Sequence, residues 1–164
     1  MIRLMAASVL GLVAASSHGQ EPSILDELEL FQLFADCQPV YLTVFVQVDA
    51  PDVSGLTEDR VRTVAESRLR AARLHESDIG LLQDIGLLHV AVWVQEKTRV
   101  STSKVEFLKP FTDQYTSQFR HTGTWESARA GIADTNGSMV MQAVSEMMDE
   151  FINDYLRVNE PACE

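Results

Sequence analysis

Two stretches, "VYLTVFVQVD" (residues 40–49) and "LLHVAVWVQ" (residues 87–95), constrain this chain more than anything else in it. Both are β-branched and aromatic almost throughout, and Pro39 and Pro51 bracket the first. They read as strands. Successive side chains on a strand point to opposite faces. One face of the first strand therefore holds Leu42, Val44, Val46 and Val48, and the other holds Tyr41, Thr43, Phe45 and Gln47. The second strand divides the same way, into Leu88, Val90, Val92 and Val94 against Leu87, His89, Ala91 and Trp93. Each strand thus has an aliphatic face suited to a core and an opposite face that mixes aromatic and polar groups.

Between them lies "LTEDRVRTVAESRLRAARLH", residues 56–75. Thr57 suits an N-cap, Glu58 and Asp59 suit the positive end of the helix dipole, and Leu56 with Val61 fits a hydrophobic staple. Val61, Val64, Ala65, Leu69 and Ala72 form one apolar stripe, with Arg62, Arg70 and Arg73 mainly behind it. Glu66 is four residues from both Arg62 and Arg70, the spacing of helix-surface ion pairs. Gly80 and Gly86 mark the loop that follows. A strand, a helix and a strand predict a right-handed crossover between parallel strands, adjacent or with one strand between.

A third strand is predicted in "STSKVEFLK" (101–109) after a short turn near Lys97 and Thr98, and a fourth within residues 117–131. Residues 110–116 are a loop or a continuation of strand three. In "SMVMQAVSEMMDEFINDYLRV" (138–158), Val140, Val144, Met147, Met148, Phe151 and Tyr155 recur at helical spacing. Asp134, Thr135 or Asn136 would cap this helix, and Asn159 and Pro161 would end it. Residues 20–36 form an N-terminal segment in which Ile24, Leu28, Phe31 and Ala35 suggest a short helix capped by Ser23, although Leu28, Leu30 and Gln32 also alternate like a strand. The order β-α-β-β-β-α predicts an α+β fold: a two-layer sandwich with a mixed sheet of about four strands and two main helices on one face. With 164 residues the chain accommodates a single such domain, placed at 37–164.

The first nineteen residues differ from the rest. Arg3 is their one charge, an apolar run extends from Leu4 to Ala15, and small residues lead to Gly19. That is the layout of a secretory signal peptide, with cleavage expected after Gly19. The apolar run is too short for a permanent membrane span, which needs about 20 residues. The chain is thus expected to be exported, to the periplasm or the medium. Cys37 and Cys163 are its two cysteines. Export and an even count suggest one disulfide between them. Two free thiols, or a reactive Cys37, are the alternatives. Without residues 1–19 the chain keeps 12 basic and 24 acidic residues, a net charge near −12. Phosphate backbones and anionic lipids repel such a chain, so nucleic acid is not an expected partner. The arginines of residues 60–73 are then most simply a solvated helix face, with docking to an acidic partner as the alternative.

A two-layer sandwich leaves one sheet face open. Here that face would carry Tyr41, Phe45, His89 and Trp93, and it is the candidate binding surface. A contiguous exposed apolar patch marks an interface or a groove, and Tyr and Trp are common anchors. The plainer readings are that residues 20–36 fold back over it, using Ile24, Leu28 and Phe31, or that two copies pair through it. No G-x-S-x-G, H-E-x-x-H, Walker or G-x-G-x-x-G motif is present, and no catalytic residue or cofactor is assigned. The methionines of the last helix suit core packing, and no metal site is assigned. The expected function is a non-catalytic exported domain that binds a protein partner or itself through the aromatic face. A small apolar-ligand or lipid carrier, with the ligand between sheet and N-terminal segment, is the alternative. A hydrolase using Cys37 or a histidine ranks below both.

The stretches "GLTEDRVRTVAESRLRAARLH" and "MDEFINDYLRVN", with the "TW" and Gly-containing segment of "TGTWESARAGIAD", resemble those of small exported bacterial proteins without an assigned activity. The resemblance covers about residues 40–160. The β-α-β-β order is also similar to the N-terminal domain of the periplasmic protein TolB. That similarity implies a fold and carries no catalytic residues.

Overall fold

The computed structural model of the chain describes residues 24–77 and 85–163. The expected signal peptide, the Ser23 cap, the side chain of Ile24 and Gly80 lie outside these residues. In chain order the elements are α1 (Ile24–Leu33), β1 (Val40–Val48), α2 (Glu58–Ala71), β2 (His75–Glu76), β3 (Leu87–Val94), β4 (Val100–Thr112), β5 (Phe119–Ile132) and α3 (Ser138–Asn159), followed by one 3-10 turn, Glu160–Ala162.

The fold is the α+β sandwich that the alternation of residues 40–49 and 87–95 predicts. The sheet has five strands rather than about four, in the order β2-β1-β3-β4-β5. β1 and β3 are parallel and adjacent, while β4 and β5 continue the sheet antiparallel. The additional strand, β2, is a two-residue bridge that pairs with Val40 and Tyr41. Two residues are too few for periodicity to reveal. Strand β4 takes in residues 110–112, which leaves 113–118 as the hairpin tip. There the Asp113 carboxylate accepts from the amides of Tyr115 and Thr116.

One sheet face is the core. Leu42, Leu88, Val90, Val92, Val94, Val105 and Phe107 lie under α2 and α3, against Val61, Ala65, Leu69, Val144, Met147, Met148, Phe151 and Tyr155. Phe107, Phe151 and Tyr155 stack with ring centroids 5.4–5.7 Å apart. Each buried aromatic here removes a large area from water, and such pairs add about 0.5–1.5 kcal/mol beyond the area. Gly86 lies so close to the Phe107 ring that an added Cβ would meet it at 2.5 Å, so glycine is required there.

Thr57 caps α2, its Oγ1 accepting from the Arg60 amide at 3.3 Å, and Leu56 and Val61 are both buried as a staple requires. Helix α3 begins differently from expectation. Gly137, in the left-handed region at φ 69°, occupies the N-cap position and makes no side-chain bond. Asp134 and Asn136 act from upstream, accepting from the amides of Met139 and Ser138. Ser138 Oγ also donates to Asp134, and these bonds hold the Asp134 carboxyl below its ordinary range.

The N-terminal helix is stitched to the end of α3. Cys37 and Cys163 are joined by a disulfide. Asn159, fully buried, accepts from the amides of Ala35 and Cys37 and donates to the carbonyls of Leu33 and Tyr155. Tyr155 Oη donates to the Gln38 carbonyl at 2.7 Å, and burial, with the Asp36 charge nearby, pushes this phenol well above its usual range. Asp36 and Cys37 both sit at φ 55°, a left-handed conformation costly for non-glycine residues. The Asn159 bonds and the disulfide hold the segment there.

Candidate functional site

The sheet face turned away from the helices, uncovered among the described residues, is built in rows set by strand register. One row runs Thr43, His89, Glu106, Glu126; the next runs Phe45, Ala91, Lys104, Ala128; the third runs Gln47, Trp93, Thr102, Ala130. Phe45 and Trp93 are diagonal neighbours on β1 and β3. Their ring centroids are 5.8 Å apart and their planes are tilted by 49°. Both are large and apolar, yet Phe45 is 42% and Trp93 39% exposed. Ala91, small and set between Phe45 and Lys104, is fully buried.

Tyr41 and His89 sit on the same face but are half-buried. His89 Nδ1 lies 2.9 Å from Thr43 Oγ1, so one ring nitrogen is occupied within the sheet. Lys104 reaches Glu106 at 3.0 Å and Glu126 at 2.9 Å. Its hydrogen bonds to these two carboxylates, Glu126 first, raise its pKa. Next to the aromatic pair, the charge is therefore one lysine shared by two glutamates.

Helix α1 does not fold over this face. It lies in the helix layer, along α3 and the far part of β5. Leu33 enters the core, Glu29 pairs with Arg157 at 2.5 Å, and the Gln32 carbonyl accepts from Thr124 Oγ1 at 2.6 Å. The expectation that residues 20–36 cover the aromatics through Leu28 and Phe31 is thus overturned for the described part of that segment. The reason lies in the C-terminal anchor: Asn159 and the disulfide fix residues 33–37 on the α3 side.

This placement makes a second apolar region. Phe31 and Phe111 stand 6.4 Å apart across a groove of about 250 Å³ between α1 and the β4–β5 hairpin, with Thr122, Thr124 and Arg120 also lining it. Lys109 Nζ donates to the Phe31 carbonyl at 3.0 Å, and burial lowers its pKa. Sequence reading missed this groove because Phe111 lay in a stretch divided between loop and strand.

The other candidates resolve into structural roles. Arg70 pairs with Glu66 at 2.7 Å, whereas Arg62 turns to Glu58 at 2.8 Å rather than to Glu66. Arg68 pairs with Asp149, and Arg60 donates to the carbonyls of Gly55 and Asn136. The arginine face of α2 thus largely serves to lace the chain to itself. Cys37 has no free thiol, which removes its version of a hydrolase. Met147 and Met148 are core residues. The "TW" pair, Thr124 and Trp125, marks the irregularity where β4 and β5 shift register beside Phe107 and Leu108. Trp125 packs on Phe151 at 5.3 Å and donates to Asp154. Among the described residues no helix is long and apolar enough to cross a membrane.

No protein-family model matches the chain, and no curated protein matches it. Solved structures do show a distant likeness. One is a PelC dodecamer from Paraburkholderia phytofirmans, 12% identical, covering 72% of this chain and 91% of that one at a TM-score of 0.34. Another is an uncharacterized protein, 13% identical, covering 79% and 95% at 0.35. A third is the rare lipoprotein B from Shewanella oneidensis, 12% identical, covering 73% and 99% at 0.32.

Proposed function

We propose that the chain is a non-catalytic exported domain that binds a protein surface, of a partner or of a second copy, through the open sheet face. The observation that supports this reading is the Phe45–Trp93 pair, two large aromatic rings in mutual contact and about two-fifths exposed on a face that no described element covers. Aromatic side chains beside one another on a rigid sheet lose little conformational freedom on binding, and Trp and Tyr dominate interface energetics. Tyr41 and His89 complete the surface. Export rests on the pattern of residues 1–19, and the periplasm and the medium both fit it.

The test is co-purification of the tagged protein from its host's envelope and culture fractions, with Trp93→Asp as control. A partner recovered with the parent and lost with Trp93→Asp supports the reading. A partner retained by the variant refutes it.

The groove between Phe31 and Phe111 favours a second reading, a carrier of a small apolar ligand. At about 250 Å³ it is below the roughly 300 Å³ lower end of drug-sized sites, so it suits only a small ligand. A native mass spectrum of the protein purified from its host tests this: ligand mass retained by the parent and lost on Phe111→Asp supports it.

A further inference from the structure

We infer that the groove between the N-terminal half of α3 and the adjoining ends of β4 and β5 is a binding site for a small uncharged alcohol. It lies on the helix side of the sheet, away from the Phe45–Trp93 face and from the Phe31–Phe111 groove, and it rests on neither reading above. The groove holds about 220 Å³, with Ser101 and Ser103 of β4, Gly131 of β5, and Met139, Val140 and Ala143 of α3 in its lining. Strand register sets the floor: Ser101 stands opposite Gly131, and Ser103 opposite Arg129. Further along the same face β4 presents Val105 and Phe107, which fill the space under α3. At this end two serines and a glycine stand where aliphatic side chains would close the gap.

The two hydroxyls distinguish this groove from loose packing. Ser101 and Ser103 are 5% and 2% exposed. A hydroxyl buried without a partner is costly, and buried polar groups are as a rule bonded. The other buried polar side chains follow that rule: Ser127 donates to Glu150 at 2.8 Å, and Asn159 makes four bonds. The Ser101 and Ser103 side chains have no hydrogen-bond partner among the described residues. No described side-chain polar atom is both fully enclosed and unpartnered, so each of the two hydroxyls opens into the groove. Ser101 Oγ lies 3.9 Å from where a Cβ on residue 131 would stand, and Gly131 thus keeps its approach clear. Every element that borders the groove is described. Ser77 and Ile85, where the described chain breaks off and resumes, lie near the starts of β1 and β3, whereas Ser101 pairs with Val94 at the end of β3, roughly 23 Å further along. Helix α1 is equally distant: Glu29 pairs with Arg157, about 27 Å along α3 from Met139.

The chemistry of the lining selects the ligand. Met139, Val140 and Ala143 offer apolar contact to a short hydrocarbon body. The two enclosed polar groups are neutral, and each can donate or accept. A charged head beside them would lose its hydration with no countercharge to replace it. The charges stand at the rim: Arg129 is held by Glu150 at 3.0 Å and by the Ser127 hydroxyl, and Glu146 accepts from Gln142. One guanidinium between two carboxylates leaves that rim net negative, which turns anions away. A purely apolar molecule would leave both serines unbonded. A hydroxyl head donates and accepts through one atom, so it serves both serines in a groove this small.

Titration of the purified chain with n-pentanol, pentanoate and pentylammonium, followed by amide and methyl NMR shifts, tests this. Pentanol should shift Ser101, Ser103 and Gly131 and the methyls of Met139 and Ala143 saturably, and should bind about tenfold more tightly than either ion. The Trp93 indole and the Phe111 ring should stay unshifted, which separates this site from the two surfaces described above. Ser101→Ala with Ser103→Ala should weaken pentanol about tenfold or more, by loss of two hydrogen bonds. The same variant should keep the urea midpoint of the parent or raise it, because these hydroxyls have no bond within the chain to lose. Ala143→Leu should fill the groove and abolish the saturable shifts. If Ala143→Leu fails to fold, the serine variant decides alone. The inference is overturned by the lack of a saturable shift at these residues, by pentanol binding that survives loss of both hydroxyls, or by a midpoint that falls strongly with them. Either ion bound as tightly as pentanol overturns it as well.

Discussion

Val92 and Trp93 are consecutive on β3, yet one is fully buried and the other is among the most exposed large apolar residues of the sheet. The whole sheet repeats this contrast. The helix-side rows converge on Phe107, Phe151 and Tyr155, where each ring is enclosed by others. The opposite rows end in Phe45 and Trp93, which touch each other and otherwise face outward. A side chain on the first face holds the fold together, whereas one on the second contributes little to it and is free to be used for recognition.

The largest effect should come from the covered face. Phe107→Ala removes a ring packed against two others, and such truncations cost about 3–5 kcal/mol. Urea unfolding should show that loss. An effect below about 1 kcal/mol would mean that the ring cluster is not the centre of the core.

Next in size is the anchor that keeps α1 away from the open face. Loss of a disulfide closing so long a loop costs about 2–5 kcal/mol. Cys37→Ser with Cys163→Ser should therefore lower the urea midpoint strongly. Asn159→Ala leaves two amides and the Leu33 carbonyl short of a partner, each costing about 1–3 kcal/mol when it stays buried. Exchange at the Ala35 and Cys37 amides should rise in that variant, and unchanged exchange would place the anchor elsewhere.

Trp93→Asp should change stability by less than about 1 kcal/mol, as surface substitutions do, while abolishing partner capture. A large loss of stability would make the open face structural and dissolve the contrast.

The smallest effect is the pH response at the start of α3. Bonds from Ser138 and Met139 depress the folded-state pKa of Asp134 below its ordinary value of 3.8. A depressed carboxylate contributes stability that is present above the unfolded value and lost as pH falls through the folded one. Acid unfolding of Asp134→Asn should therefore differ from the parent above pH 3.8 and converge with it at lower pH. A constant difference across that range would show that the carboxylate charge is not what matters there.

Much of this was legible in the residues. Alternation with period two assigned both faces of β1 and β3, because burial of one face imposes that period whatever surrounds the strand. The helical stripe of α3 and the Thr57 cap of α2 are local signals of the same kind. The end of β4, residues 110–112, and strand β2 were not legible, since two or three residues carry no period. Asn159 read as a helix terminator, and its role as a buried four-bond hub depends on Leu33, Ala35 and Cys37, each more than a hundred residues away.

The sequence by itself determined which residues could be core, where α2 begins, and that Tyr41, Phe45, His89 and Trp93 share a face. Only the tertiary structure decided that α1 does not lie over this face. The position of α1 follows from contacts between the two ends of the chain, at Cys37, Cys163 and Asn159, and contact between distant residues leaves no mark on local pattern.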